Sequence, residues 1–88
     1  MSNVRSFELE AFKNKLSKLA GTKNIDDALF ADAVYTAISQ FGIDEDQFRD
    51  AFGLTKGAVD RWTQGKNLPQ PALRPKILLW MKGLLEAS

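Results

Sequence analysis

Residues that can do chemistry concentrate between positions 55 and 67, in the stretch TKGAVDRWTQGKN. Val59 and Trp62 lie three residues apart, the spacing of one buried helical face, which leaves cationic and amide side chains outward. Lysine and arginine bind phosphate oxygens, and with amide side chains they also bind base edges in the DNA major groove. The stretch therefore predicts contact with a polyanion, although a lone lysine such as Lys66 is equally well explained by solvation.

The distribution of charge along the sequence strengthens this prediction. Residues 1–53 carry six Lys or Arg and nine Asp or Glu, a net charge of −3, whereas residues 54–88 carry six and two, a net charge of +4. Such an asymmetry is expected when one face of a protein meets nucleic acid. A solvated basic face without a partner is the alternative.

The residue types that are missing exclude most enzymes. The chain has no cysteine and no histidine, which removes disulfides, thiolate nucleophiles, the commonest zinc ligands and the usual general base at neutral pH. Adjacent acids such as Asp26 and Asp27 fit the first turn of a helix better than an acid–base pair. We therefore predict that the protein is not an enzyme and holds neither a metal nor a cofactor.

Hydropathy predicts a soluble, cytoplasmic protein. The first ten residues, MSNVRSFELE, lack the apolar core of a signal peptide. The longest apolar run, ILLWM, is far shorter than a membrane span. The first helix combines lysines with an apolar stripe, but its glutamates favour packing on a helical bundle over binding to a membrane surface.

The sequence predicts one all-helical domain over residues 1–88. Apolar residues recur at steps of three and four, and no stretch alternates as a strand would. Each of the first four helices has a cap before it and a glycine after it. The predicted caps are Ser6, Asn24, Asp44 (with Gln47 in a capping box) and Thr55. The glycines that end these helices are Gly21, Gly42, Gly53 and Gly65.

The last predicted helix, roughly Arg74 to Glu86, is apolar nearly all round. A small domain buries little of its surface, and one chain of this size can hardly cover every side of such a helix. We therefore predict a homodimer. The expected interface residues are Leu78, Met81 and Leu85. A deeply buried central helix is the alternative.

Residues 43–65, IDEDQFRDAFGLTKGAVDRWTQG, resemble the helix-turn-helix of the lambda-repressor and Cro-like family. Phe48 and Phe52 stand at its two leucine positions, and Gly53 stands at its turn glycine. The remaining matches are Leu54 at the valine, Thr55 at the serine cap, and Val59, Arg61, Trp62 and Gly65 in the second helix. The resemblance covers directly about a quarter of the chain.

The resemblance implies a compact bundle of about five helices with a helix-turn-helix at about residues 44–65 and an additional N-terminal helix. It implies a transcriptional regulator, a repressor, that binds an inverted repeat in double-stranded DNA as a dimer through the helix Lys56 to Gln64. Residues at the base-reading positions are Lys56, Gly57, Asp60 and Arg61. Residues at the phosphate positions are Thr55, Gln64, Lys66 and Asn67.

Several acids and one arginine depart from this pattern. Arg49 stands where the family prefers a small residue, and Glu45 stands where it often has glutamine. The acids at 44–46 lower affinity for DNA if they face the phosphates and matter little if they face away. Asp60 lies four residues after Lys56, so a pair within the helix explains it without a function.

Two other uses of the chain follow from these departures. The acids and the modest total charge favour a competing hypothesis, a protein-interaction module, antitoxin-like or polymerase-binding, that keeps the helix-turn-helix fold. The additional N-terminal helix is a candidate surface for dimerisation or for a second protein partner.

Overall fold

The computed structural model describes residues 4–87, and within that range the chain is all-helical, as the sequence predicts. The described residues form five α-helices, with a short 3₁₀ turn at Pro71–Leu73 between the fourth and the fifth. The α-helices are α1 (Val4–Ala20), α2 (Asp27–Ser39), α3 (Glu45–Phe52), α4 (Ala58–Thr63) and α5 (Arg74–Ala87). None of these helices is long and apolar enough to cross a bilayer.

The first and last helices form the main packing contact of the molecule. Phe12, Leu16 and Leu19 of α1 are buried in the core, which confirms that this helix packs on the bundle. The lysines Lys13 and Lys15 pair with acids within the chain, with Glu10 and Asp32. The apolar stripe of α1 therefore serves the core, and two of its lysines are already neutralised.

Burial in this core overturns the predicted dimer contacts on α5. Leu78 and Met81 are 0% exposed and Leu85 is 5% exposed within a single chain. These side chains have almost no surface left for a second chain, because α1 covers the side of α5 that carries them. The choice of Leu78, Met81 and Leu85 as interface residues is therefore wrong.

The predicted caps are partly right. Asp44 caps α3 and forms the reciprocal capping box with Gln47, and Gly53 ends this helix in a left-handed conformation. The other caps are wrong. Ser6 lies inside α1, and Asp26 rather than Asn24 caps α2 by accepting a hydrogen bond from the Ala28 amide.

The fourth helix is shorter than the predicted Lys56 to Gln64. It spans Ala58–Thr63, and its N-cap position is Gly57 rather than Thr55, with no side-chain capping hydrogen bond. Gly57 has a φ of 85°, a left-handed conformation that an L residue rarely adopts. The chain therefore turns at Gly57 and the helix begins after it, so Thr55 and Lys56 lie in the connection from α3.

The buried Arg74 joins the start of α5 to the start of α2. Its guanidinium donates to the carbonyl oxygens of Ile25 at 2.7 Å and Pro69 at 3.0 Å, and to Asp27 Oδ1 at 2.7 Å. It also lies 5.8 Å from the centre of the Phe30 ring. Because buried carbonyl groups need donors, this one side chain fixes where α5 begins.

Removing the guanidinium should cost far more stability than removing the charge of its acidic partner. The side chain of Arg74 is 7% exposed, whereas that of Asp27 is 72% exposed and stays hydrated. We expect Arg74→Met to lower the free energy of unfolding by about 2–4 kcal/mol, because the carbonyls of Ile25 and Pro69 lose their donors.

The matched variant Asp27→Asn should change the free energy of unfolding by less than about 1 kcal/mol, because residue 27 is exposed and the asparagine keeps an oxygen that can accept from Arg74. Urea unfolding followed by circular dichroism measures both values. Equal losses in the two variants would contradict the role assigned to Arg74.

Candidate nucleic-acid interface

Two inward side chains hold α4 on the bundle. Val59 and Trp62 are buried, and the Trp62 ring meets Phe30 of α2 and Phe48 of α3 edge-on, with centroid distances of 5.7 Å and 6.3 Å. Six residues are too few for a helix to be stable alone, so these contacts determine its position. Of the remaining residues of α4, Asp60 and Arg61 are exposed, and Ala58 and Thr63 are half-buried.

The four predicted base-reading residues lie on α4 and directly before it. Asp60 is in the first turn of this short helix and Arg61 is in its last turn, whereas Lys56 and Gly57 precede it. A Cβ added at Gly57 would lie 3.3 Å from Arg61 Nη1, so the guanidinium of Arg61 folds back over the glycine. Lys56 and Arg61 are both exposed. The absence of a side chain at residue 57 therefore leaves room for this arginine.

A cleft of about 210 Å³ separates this end of α4 from the start of α3. Lys56, Gly57 and Asp60 line one side of it, and Glu45 and Asp46 line the other. Asp44 is occupied as the cap of α3. Two of the three acids at 44–46 therefore face the candidate surface, an orientation that the sequence left open.

Local contacts partly neutralise the acids around the cleft. Arg49 donates to Asp46 at 2.8 Å and is half-buried, so it is accommodated beside α3 in place of the small residue that the family prefers. No ion pair joins Lys56 to Asp60 among the described residues, because residue 56 precedes the helix. The predicted pair between these two residues is wrong.

Asp60 instead accepts a hydrogen bond of 2.9 Å from Gln64 Nε2. A carboxylate only accepts, so this contact fixes which end of the Gln64 amide faces Asp60. The carbonyl oxygen and the second N–H of the Gln64 amide remain for another partner. The oxygen suits an amino group on a base, and the N–H suits a phosphate oxygen.

The phosphate candidates at the other end of α4 follow a glycine turn. The amides of Gly65 and Lys66 donate back to Trp62 and Arg61 at 2.9 Å and 2.8 Å, which ends the helix at the predicted glycine. Asn67 continues the turn with a φ of 49°. Lys66 and Asn67 are exposed, and they follow the C-terminal end of α4.

The cations of this surface are unpaired, and this is its main electrostatic feature. Within residues 4–87, Lys56, Arg61 and Lys66 form no ion pair, whereas Arg49 and Arg74 do. Thr55, between α3 and α4, is exposed as well. The arrangement offers one free cation on a short, anchored helix and one on either side of it in the chain, beside one carboxylate cluster. Such a surface can hold an elongated anion.

Comparisons with protein-family models, curated proteins and solved structures find no match for this chain. The resemblance to the lambda-repressor and Cro-like family accordingly stays a prediction from the residues. The function has to be argued from the surface itself.

Replacing Gly57 should test whether the start of α4 depends on its left-handed backbone. The φ of 85° strains any L residue, so we expect Gly57→Ala to lower the free energy of unfolding by about 1–2 kcal/mol. The nearby Arg61 Nη1 is the far end of a flexible side chain and can move away.

Gly83 within α5 provides the matched control for this substitution. A Cβ there would meet no atom within 4 Å, so Gly83→Ala should raise the free energy of unfolding by up to about 1 kcal/mol. Denaturant unfolding of dilute protein measures both. A gain in stability from both substitutions would show that residue 57 is not held in the left-handed conformation.

Proposed function

We propose that the chain is a sequence-specific double-stranded DNA-binding transcriptional regulator, a repressor, whose α3 and α4 act as a helix-turn-helix. The observation that carries the proposal is the row of unpaired cations on α4 and its flanks, Lys56, Arg61 and Lys66. A helix in the major groove contacts base edges with its N-terminal residues, and neighbouring groups hold phosphates.

The proposal gives each of these residues a role. Arg61 reads a guanine through its guanidinium, for which the missing side chain at Gly57 leaves room. Gln64, oriented by Asp60, keeps its predicted contact with a phosphate through its second N–H and can also offer its carbonyl oxygen to a base amino group. Thr55, Lys66 and Asn67 hold phosphates, and they set position rather than sequence.

A dimer suits this function because two copies of α4 can enter successive major grooves, about 34–36 Å apart, on an inverted repeat. One chain is 41 Å in its longest dimension, so two chains side by side have the size to span one helical turn of DNA. Occupation of such a site represses transcription by excluding other proteins from it.

A protein-interaction module is the second candidate, favoured by the acids in the cleft. Glu45 and Asp46 lie beside Lys56, and Asp60 lies on α4 itself. Carboxylates this close to the groove-entering end repel phosphates, whereas they pair readily with a basic protein surface. Binding of a protein partner would release no counterions from DNA, so it would lack the salt dependence that their release produces.

Binding of a random duplex across a salt series separates the two candidates. We expect the protein to bind the duplex at low salt. The logarithm of the binding constant should fall linearly with the logarithm of the salt concentration, with a slope of about −0.9 for each phosphate neutralised. Lys66→Ala should weaken binding to every sequence alike and reduce that slope by about 1. Fluorescence anisotropy of a labelled duplex gives both quantities.

The variants of Arg61 and of the control residue Lys23 are compared on a preferred DNA site that is first selected from a random library. Arg61→Ala should cost about 1–3 kcal/mol on that site and relax base preference at one position. Lys23 is an exposed lysine in the connection between α1 and α2, so Lys23→Ala should leave the affinity for DNA and the salt slope unchanged. If micromolar protein shows no salt-dependent binding, the DNA-binding proposal fails.

A further inference from the structure

An apolar pocket of about 210 Å³ opens where the end of α3, the helix α4 and the start of α5 meet. Trp62 and Ile77 are buried and form its floor. Phe52, Leu54 and Pro69 are half-buried and form its walls. An apolar cavity of about 150 Å³ is large enough for benzene. This pocket therefore has room for an aromatic ring with a short side chain.

Contacts outside the pocket hold its walls in place. The Phe52 ring meets Trp80 with 5.1 Å between ring centres. The carbonyl oxygen of Pro69 accepts a hydrogen bond of 3.0 Å from Arg74. Trp62 is fixed by its own packing in the core. A ligand would therefore enter a preformed site, and it would lose little free energy in ordering the protein around it.

The rim of the pocket combines an exposed leucine with an unpaired cation. Leu73 is 47% exposed, and Lys76, three residues later, is exposed as well. Lys76 forms no ion pair within residues 4–87. The sequence has no acid between Asp60 and Glu86, so no carboxylate on α5 lies within two turns of this lysine. The ammonium group is therefore free to bind an anion at the mouth of the pocket.

The lining determines which chemical class of ligand the pocket can hold. Apart from Lys76 and the indole N–H of Trp62, the lining side chains carry no group that forms hydrogen bonds. A hydroxyl, amino or sugar group inside would lose its water without gaining a partner. One lysine balances a single negative charge, such as that of a carboxylate. Aromatic side chains in the lining favour an aromatic ring in the ligand.

We propose that this pocket binds a small aromatic monocarboxylate, with its ring against Phe52 and Trp62 and its carboxylate on the ammonium group of Lys76. The proposal goes beyond the proposed function and does not depend on it, because the binding needs no DNA. Trp62 lines the pocket and also fixes the position of α4. An occupied pocket is therefore sensed on the helix that carries Arg61.

A titration of the ¹⁵N-labelled full-length protein with hydrocinnamate tests the site. We expect saturable shift changes at the indole N–H of Trp62 and at the amides of Leu54 and Leu73. The dissociation constant should be about 0.1–1 mM, as suits so small a ligand. The neutral amide of the same acid, hydrocinnamamide, should bind at least about threefold more weakly, because it lacks the charge that pairs with Lys76.

Removal of the cation tests which group holds the carboxylate. Lys76→Met keeps the apolar stem of the side chain and removes its charge. It should weaken the binding of hydrocinnamate about threefold to tenfold and leave the binding of hydrocinnamamide unchanged. Lys23→Met, at an exposed lysine between α1 and α2, is the control and should change the binding of neither ligand.

Shortening the leucine at the rim tests the apolar contact separately from the charge. Leu73→Ala should weaken the binding of both ligands about threefold to tenfold, because it removes apolar surface from the pocket. Leu29 of α2 is exposed to a similar extent, 45%, and lies outside the pocket, so Leu29→Ala should leave both affinities unchanged. Circular dichroism confirms that each variant is folded.

Any one of three results would overturn the proposal. The first is the lack of a saturable shift at the pocket up to about 10 mM hydrocinnamate, about ten times the weakest dissociation constant expected. The second is equal affinity for the acid and its amide. The third is a loss in Lys76→Met that affects both ligands alike. The titration contains no DNA, so its failure leaves the proposed function standing.

Discussion

Burial of Trp62 is the constraint on which the candidate surface depends. The helix that carries it has only six residues and lacks a side-chain cap, so it has little stability of its own. The indole is 4% exposed and lies against Phe30 and Phe48. A large aromatic side chain at this position fixes both the height and the rotation of α4. The outward direction of Arg61 and Gln64 follows from that rotation.

The same aromatic contacts continue from α3 into α5. Trp80 meets Phe48 at 4.9 Å and Phe52 at 5.1 Å between ring centres, so α5 supports α3 directly. Arg74 fixes the start of α5 through the carbonyl oxygen of Ile25 and the carboxylate of Asp27 at the start of α2. The small core thus contains two kinds of directional contact. One is the edge-on packing of aromatic rings, and the other is the set of hydrogen bonds from one buried guanidinium. These contacts connect the exposed face of α5 with the position of α4.

Several local signals could be predicted from the sequence, although the cap of α2 at Asp26 was missed. Features that depend on tertiary packing could not be predicted. Asp44 caps α3 and Gly53 and Gly65 end helices, because a cap or a left-handed turn needs only neighbours in the chain. Thr55 was an equally good local cap, but the position of Trp62 in the core starts α4 after Gly57. The near-continuous apolar pattern of α5 indicates burial without showing whether α1 or a second chain supplies it. The members of the candidate site could be named from the sequence, whereas the Asp60–Gln64 contact depends on side-chain geometry.

The most direct test of the central claim is an amide chemical-shift titration of ¹⁵N-labelled protein with a short duplex at low salt. The claim is that α4 and its flanks, held outward by Trp62, form the DNA-binding surface. It predicts that the largest shift changes fall within residues 55–67, with smaller ones at the start of α3. Spectra that do not change on adding duplex, or changes confined to α1 and the outer face of α5, would contradict it.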